Sequence, residues 1–374
     1  MMKRKTVITA SLMAGLVLGM AVYPAVKQIE SRQALTAVAA TATTTDGWKI
    51  SYDETHCEIT GCTSDVRGAV SIPSEVDVDG KKLPVTKLAN SFYYSGSSRD
   101  FITSLTIPAS ITTIESSVFW QMKNLETVDI QANIMILPGG VFRDCTNLET
   151  VKLPDGLMEI GENTFNSCTR LKTIVIPSSV KTLGLYAFFQ CESLEKLTIP
   201  GKITNIPGYA FAGCTGLKSL TIEDGVKFID SYAFNKCSLL NNVVLPKSVT
   251  KMEASAFSAC ASMDNLTIEN PECAIGAVEG TEKQPLIIYG YEDSTAEEYC
   301  EEYGKRRYVE FKSIGEKPAP EPVQDTGLFC DANGNGEIDV ADAQFVLTYY
   351  VEQMAGNSPS WYEITKNPKA PDAP

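Results

Sequence analysis

The sequence has a single histidine, His56, in 374 residues. That excludes mechanisms in which a histidine-activated nucleophile works with a second histidine, and it leaves no histidine-rich zinc site. Basic residues are also few: 32 Lys and Arg stand against 46 Asp and Glu, a formal net charge of -14. Lys3, Arg4, Lys5, Lys27 and Arg32 against Glu30 make the first 40 residues net +4, which leaves -18 on the rest. Such a surface repels phosphate backbones and suits a soluble protein or one that binds cations. Aromatic residues are sparse at 9%, and only one long apolar run occurs, TVITASLMAGLVLGMAV at 6–22. The hydrophobic content of 44% is that of an ordinary globular protein, and the length allows two or three domains.

The short basic stretch 1–5 and the apolar run behind it read as an export signal. The small-residue pattern Ala37-Val38-Ala39 offers a cleavage site, which sets a signal peptide at 1–40. An uncleaved amino-terminal membrane anchor is the alternative, because about 20 apolar residues can span a bilayer. Either way the chain is expected outside the cytoplasm, secreted or at the cell surface.

Six cysteines stand at 145, 168, 191, 214, 237 and 260, each 23 residues after the last. The same period aligns Pro154, Pro177, Pro200 and Pro246, then Phe165, Phe188, Phe211, Phe234 and Phe257, then Leu148, Leu171, Leu194, Leu217 and Leu240 with Met263. Extended backwards, it takes in Phe119, Phe142 and Met122, so repeats cover about 99–268. Within each unit a stretch such as Leu148-Glu149-Thr150-Val151-Lys152-Leu153-Pro154 alternates apolar and polar before a proline, the signature of a short strand. A second apolar pair follows, Leu157 with Ile160 or Ile203 with Ile206, and an Ala-Phe-x-x-Cys turn closes the unit. No window sustains a 3.6-residue period. The fold class is therefore mainly β, a solenoid of short strands and turns whose Leu, Ile, Phe and Cys stack in ladders.

Stacked identical positions direct their Cβ atoms in parallel, so the six repeat cysteines are expected as buried free thiols rather than disulfides. The outward strand positions, including Thr106, Asp129, Lys152, Val175, Thr198, Thr221, Val244 and Thr267, make a small, hydroxyl-rich face. It has neither the recurrent aromatics of a sugar platform nor a converging acid pair. Tyr186, Tyr209 and Tyr232 recur two residues before a phenylalanine and are expected to pack as a ladder beside that column.

The unit Cys-x-x-Leu-x-x-Leu-x-Ile-Pro-x-x-Ile-x-x-Ile-x-x-x-Ala-Phe, plainest at 191–211, resembles the bacterial BspA-type leucine-rich repeat. The resemblance covers about 48–312. It implies an opening strand at Val70-Ser71-Ile72-Pro73, a closing strand at Ile287-Ile288-Tyr289-Gly290 and a capping helix starting at Ser294. Ser294 is a good N-cap with Glu297 three residues on as a capping box, and Gly304 is expected to end the helix. Members of that family are regarded as adhesive or interaction proteins.

A proline-rich linker, 313–325, contains Lys317-Pro318-Ala319-Pro320-Glu321-Pro322 and leads to a separate module at 326–374. Counting Asp331 as position one, Asn333, Asn335, Asp339 and Asp342 fall at 3, 5, 9 and 12, Gly336 at 6 and Ile338 at 8. That is the spacing of an EF-hand-like calcium loop, with Glu337 at 7 supplying its backbone carbonyl. With Asp rather than Glu at position 12 and a helix pattern directly behind, the module resembles a dockerin, by which extracellular polysaccharide-degrading enzymes attach to scaffoldin cohesins. The resemblance implies Ca²⁺ as cofactor, a cohesin as partner, and cohesin contact through Val340, Ala341, Leu347 and Thr348. A full dockerin has two loop–helix halves; this tail carries one, and Cys330 stands where the family prefers glycine.

The chain is thus expected to be a non-enzymatic, exported interaction protein, held by its tail on a cellulosome-like scaffold, with an unidentified protein or glycan ligand for the solenoid. The alternatives are a dockerin-bearing polysaccharide-degrading enzyme and a surface adhesin whose tail is a relic.

Overall fold

The structure, a computed structural model, describes residues 39–318. The expected export signal up to residue 38 and the calcium-loop module at 326–374 lie outside the described residues.

The repeats form parallel rungs of one solenoid. Each rung gives a first strand, such as Lys196–Ile199, and a two-residue second strand, such as Asn205–Ile206. The register is one period: Lys196 faces Ser219, Asn205 faces Phe228, and Asn242 faces Asn265. Alternation buries Leu197 and Ile199 while Lys196 and Thr198 stay outside, as the period-two pattern requires. Eight phenylalanines fill the interior in one file. Phe92 meets Phe119 edge-on at 5.4 Å, and from Phe119 to Phe257 successive ring centroids lie 5.0–5.6 Å apart and near parallel. Each such contact adds about 0.5–1.5 kcal/mol to simple burial.

The turn side carries a third ladder. The amide of each repeat phenylalanine from Phe119 to Phe234 donates to a carbonyl one rung on, as in Phe188 to Ala210 at 2.8 Å. The residue before each cysteine from Cys145 to Cys237 donates likewise, Gln190 to Ala212 at 2.8 Å being one case. Such a turn needs left-handed backbone at two positions per rung. Ser117, Gly140, Asn163, Tyr186, Tyr209, Tyr232 and Ser255 hold φ of 57–67°, and Gln121, Asp144, Ser167, Gln190, Gly213, Lys236 and Ala259 hold 58–77°. Few non-glycine residues adopt this conformation. Sequence reasoning missed these columns because only some of their members are the Gly, Asn or Asp that would signal it.

The six repeat cysteines are free thiols, and all but Cys260 are fully buried. Each repeat thiol donates to the carbonyl of a phenylalanine 26 residues earlier: Cys145 to Phe119, Cys191 to Phe165 and Cys214 to Phe188, at 3.2–3.3 Å. The Phe119, Phe165 and Phe188 carbonyls also accept the amide of the third residue on, so each serves two donors. A thiol suits this place because it is small and apolar yet can donate where a buried carbonyl needs it. Burial lifts Cys145 and Cys214 to about 12 from an ordinary value near 9 and moves Cys168 and Cys191 the same way, assisted by neighbouring thiols; Cys237 is raised by its contact with the Cys260 thiol and by burial.

Both ends are closed. At the amino end, Ala40–Thr43, Trp48–Tyr52 and Cys57–Cys62 pair antiparallel, and Gly68–Ser71 joins the first-strand sheet beside Ile102–Ile107. Asp79 and Gly80, at φ 53° and 84°, turn a hairpin between Glu75–Val78 and Lys81–Leu88. At the carboxyl end, Leu286–Gly290 and Val309–Ser313 extend the sheet, with the capping helix Thr295–Arg307 between them. The Ser294 side chain accepts the Glu297 amide, and the Glu297 carboxylate accepts the Asp293 amide at 2.7 Å. The helix does not stop at Gly304. It runs three residues further and ends on Tyr308 in the left-handed conformation, φ 53°. Gly304 is there for room: a Cβ on it would come within 3.1 Å of the Val309 carbonyl as the chain doubles back. Lys305, Arg306 and Arg307 in the last turn favour the continued helix through its dipole.

Candidate interaction surface

The first-strand face is hydroxyl- and amide-rich, as its sequence implied. Ser104 and Thr127 hydrogen bond across rungs at 2.6 Å, and so do Asn265 and Asn242. Along its edge, charges alternate in sign from rung to rung: Lys172 pairs with Glu149 at 2.7 Å and Lys218 with Glu195 at 3.4 Å. Lys172 and Arg170 hold the Glu149 carboxyl below the usual range. Exposed pairs of this kind add little energy, but a one-rung slip would put like charges together. On the turn side, Tyr186, Tyr209 and Tyr232 stack at 5.0–5.1 Å in a file of their own, half-buried to exposed, with Phe189 edge-on to Tyr186 at 5.6 Å.

The surface is not uniform, and proline is the cause. Where a first strand is followed by a residue with an N–H, that N–H closes the ladder to the rung before: Gln131 to Ile107, Glu223 to Ile199, Glu269 to Leu245, at 2.8–3.0 Å. The pairing there is full, four residues long. Pro154, Pro177, Pro200 and Pro246 occupy the same place and have no N–H to donate. The pairing falls to three residues at Pro154 and two at Pro177, and it is lost at Pro200 and Pro246.

The second-strand ladder obeys the same rule. Gly161, Gly184, Asp230, Glu253 and Gly276 each donate to the preceding rung at 2.6–3.0 Å. Pro138 and Pro207 stand in that column, and the second-strand sheet ends at both. Only the rung 191–213 has proline in both places. Between it and 168–190 neither ladder pairs, so the solenoid holds there by the turn-side bonds, the Phe, Tyr and Cys columns, and amide contacts such as Ser193 to Thr169 at 3.0 Å.

A cleft of about 660 Å³ lies over this junction on the first-strand face. Val175 in its lining is 80% exposed, the highest among the large apolar residues described. Pro177, Pro200 and Lys196 line it, with Asp155 one rung before 168–190 and Glu223 one rung after 191–213. Glu223 also accepts the Gly201 amide at 3.2 Å. Nothing in the residue pattern had set Val175 apart from Val244; the signal was the coincidence of Pro200 with Pro207.

Among the described residues no group of three or more His, Cys, Asp or Glu converges as a metal site would. The sequence-predicted ligands Asp331, Asn333, Asn335, Glu337, Asp339 and Asp342, and the cohesin-contact residues Val340, Ala341, Leu347 and Thr348, lie outside the described residues.

No curated protein matches the chain. Several solved structures resemble it. A leucine-rich repeat protein from Bacteroides ovatus is 21% identical, covering 72% of this chain and 78% of its own, with a TM-score of 0.42. The leucine-rich repeat protein of T. pallidum is 22% identical over 62% of this chain and 83% of its own, TM-score 0.31. The pneumococcal vaccine antigen PcpA is 15% identical over 76% of this chain and 100% of its own, TM-score 0.27. The model of the BspA type leucine rich repeat region, in 6 copies, matches residues 86–218 and 181–277, about half of the chain. With its period, columns and caps, the chain belongs to the BspA-type leucine-rich-repeat family.

Proposed function

We propose that this chain is an exported, non-catalytic interaction protein: the solenoid presents a recognition face, and the tail attaches it to a cohesin-bearing scaffold in a calcium-dependent way. The observation that carries the first half is the solenoid itself, whose residues are used in stacking columns while its strand faces are left open to a partner. Repeat stacks of this kind commonly serve as extended binding surfaces.

The second half rests on the donor set of the tail. Asp331, Asp339 and Asp342 bring carboxylates, Asn333 and Asn335 amide oxygens, and Glu337 a backbone carbonyl, at the spacing of a calcium loop. Hard oxygen donors in that number favour Ca²⁺, which accepts six to eight ligands, over the tighter octahedron of Mg²⁺. With Ca²⁺ bound, Val340, Ala341, Leu347 and Thr348 would be the cohesin-facing residues. Export is read from the basic and apolar amino terminus.

Capture of the full chain on an immobilised cohesin, in calcium and in chelator, tests this. Capture in calcium only, abolished by Asp331→Ala with the solenoid's melting transition unchanged, is the expected result. Equal capture in chelator, or none in calcium, would overturn the tail reading.

A further inference from the structure

We propose that the cleft over the unpaired junction is where the solenoid grips an extended peptide segment of a partner protein, one that alternates aliphatic with basic side chains. This deepens the interaction role above and rests on it. The cleft's size falls in the range of about 300–1,000 Å³ typical of ligand sites. Its lining offers apolar surface: Val175 stands almost bare beside Pro177, and covering it removes that surface from water.

The polar groups around that surface suit a peptide backbone. Ile107, Ile199 and Leu245 each give their carbonyl to an amide one rung on. Ile176 holds the equivalent place and lines the cleft, but the residue opposite is Pro200, which has no N–H to offer. A carbonyl in that position wants a donor, and the exposed Lys196 amine beside it supplies one to an acceptor. An extended backbone laid across the rungs carries both complements, an N–H to donate and a carbonyl to accept.

The ends set the sign of the side chains. Asp155 and Glu223 are exposed, and among the described residues neither forms an ion pair with a lysine or arginine. They lie three rungs apart on a chain of net charge -14, so basic groups at the two ends of a short segment meet complementary charge. At strand spacing the cleft spans about five or six residues of extended peptide.

The test uses the full chain and a fluorescently labelled, blocked peptide of alternating valine and arginine, with alternating valine and glutamate as its counterpart, at physiological salt. The first should bind and the second should not. Pro200→Glu with Pro207→Gly installs residue types that neighbouring rungs carry in the same columns, restores both missing N–H groups and closes the junction. This variant should bind about tenfold more weakly although it gains a negative charge. Val175→Lys should lose a similar factor, and Asp155→Lys with Glu223→Lys should lose more. Glu301→Lys with Glu310→Lys changes the net charge by the same amount far along the chain and should leave affinity within about twofold. No binding of the valine–arginine peptide, equal binding of both peptides, or an unaltered affinity in the closed variant would overturn the proposal. A protein partner captured equally by wild type and the cleft variants would overturn it while leaving the interaction role standing.

Discussion

Two successive junctions of the solenoid share almost everything and differ in one respect. Between 191–213 and 214–236, four residue pairs join the first strands and two join the second, closed by the amides of Glu223 and Asp230. Between 168–190 and 191–213, no strand pair forms, because Pro200 and Pro207 stand in those places. Yet the phenylalanine rings are 5.2 Å apart across the unpaired junction and 5.4 Å across the paired one, and the tyrosines 5.1 and 5.0 Å. Register and spacing in this molecule are therefore set by the packed columns and turn-side bonds. The strand ladders are a second restraint that proline can remove rung by rung.

The largest way to break that comparison is to cut the column. Phe211→Ala removes a fully buried ring from the unpaired junction, at about 3–5 kcal/mol. Phe234→Ala should cost less, since both ladders hold its junction with 191–213 and the second-strand ladder holds its junction with 237–259. Urea denaturation of both variants checks this, and a larger loss for Phe234→Ala would count against the primacy of the columns.

Alkaline pH acts on the fully buried thiols of the cysteine column, Cys145 to Cys237. A thiol whose folded pKa is raised contributes stability that is intact below the unfolded value near 9 and is lost as pH rises towards the folded value, about 12 for Cys145 and Cys214. Each such thiol should cost about 1.4 kcal/mol per pH unit across that window. The melting temperature should be flat from pH 6 to about 8.5 and then fall steeply. In native protein these thiols should resist alkylation that denatured protein undergoes at once.

A smaller effect is expected from Cys214→Ala, which takes the donor from the Phe188 carbonyl across the unpaired junction and leaves a small void. About 1–2 kcal/mol should be lost. The same change at Cys237, whose thiol reaches Phe211 across the paired junction, should cost no more. Smallest in stability is Pro200→Glu with Pro207→Gly. New ladder bonds are offset by the freedom that the unfolded chain regains, up to about 1 kcal/mol for each proline removed, so the melting temperature should hardly move.

Much of this was legible in the residues. Spacing by 23 placed the Phe, Leu and Cys columns, and alternation placed the buried Leu197 and Ile199. The parallel direction of stacked Cβ atoms foretold free thiols. What spacing could not give was anything decided between rungs. Pro200 read as a strand end within its own unit and Pro207 was not singled out, whereas the effect of both is a missing donor to the unit before. Gly304 read as a helix stop because glycine commonly is one; here its lack of a Cβ admits a returning strand. The left-handed columns were hidden because Tyr186, Tyr209 and Tyr232 fill positions where the turn geometry overrides residue preference. The calcium loop remains a reading of oxygen spacing, since its residues fall outside those described.

Amide hydrogen exchange on the native chain tests the central claim most directly. If proline places the gap and the columns hold the stack, the amides of 196 and 198, which face the unpaired junction, should exchange about tenfold or more faster than those of 219 and 221, which face the paired one, while amides of 188 and 190 on the turn side stay as protected as those of 211 and 213. In the Pro200→Glu, Pro207→Gly variant the two sets of strand amides should become alike. Equal protection of 196 and 198 with 219 and 221 in the unaltered protein would contradict the account.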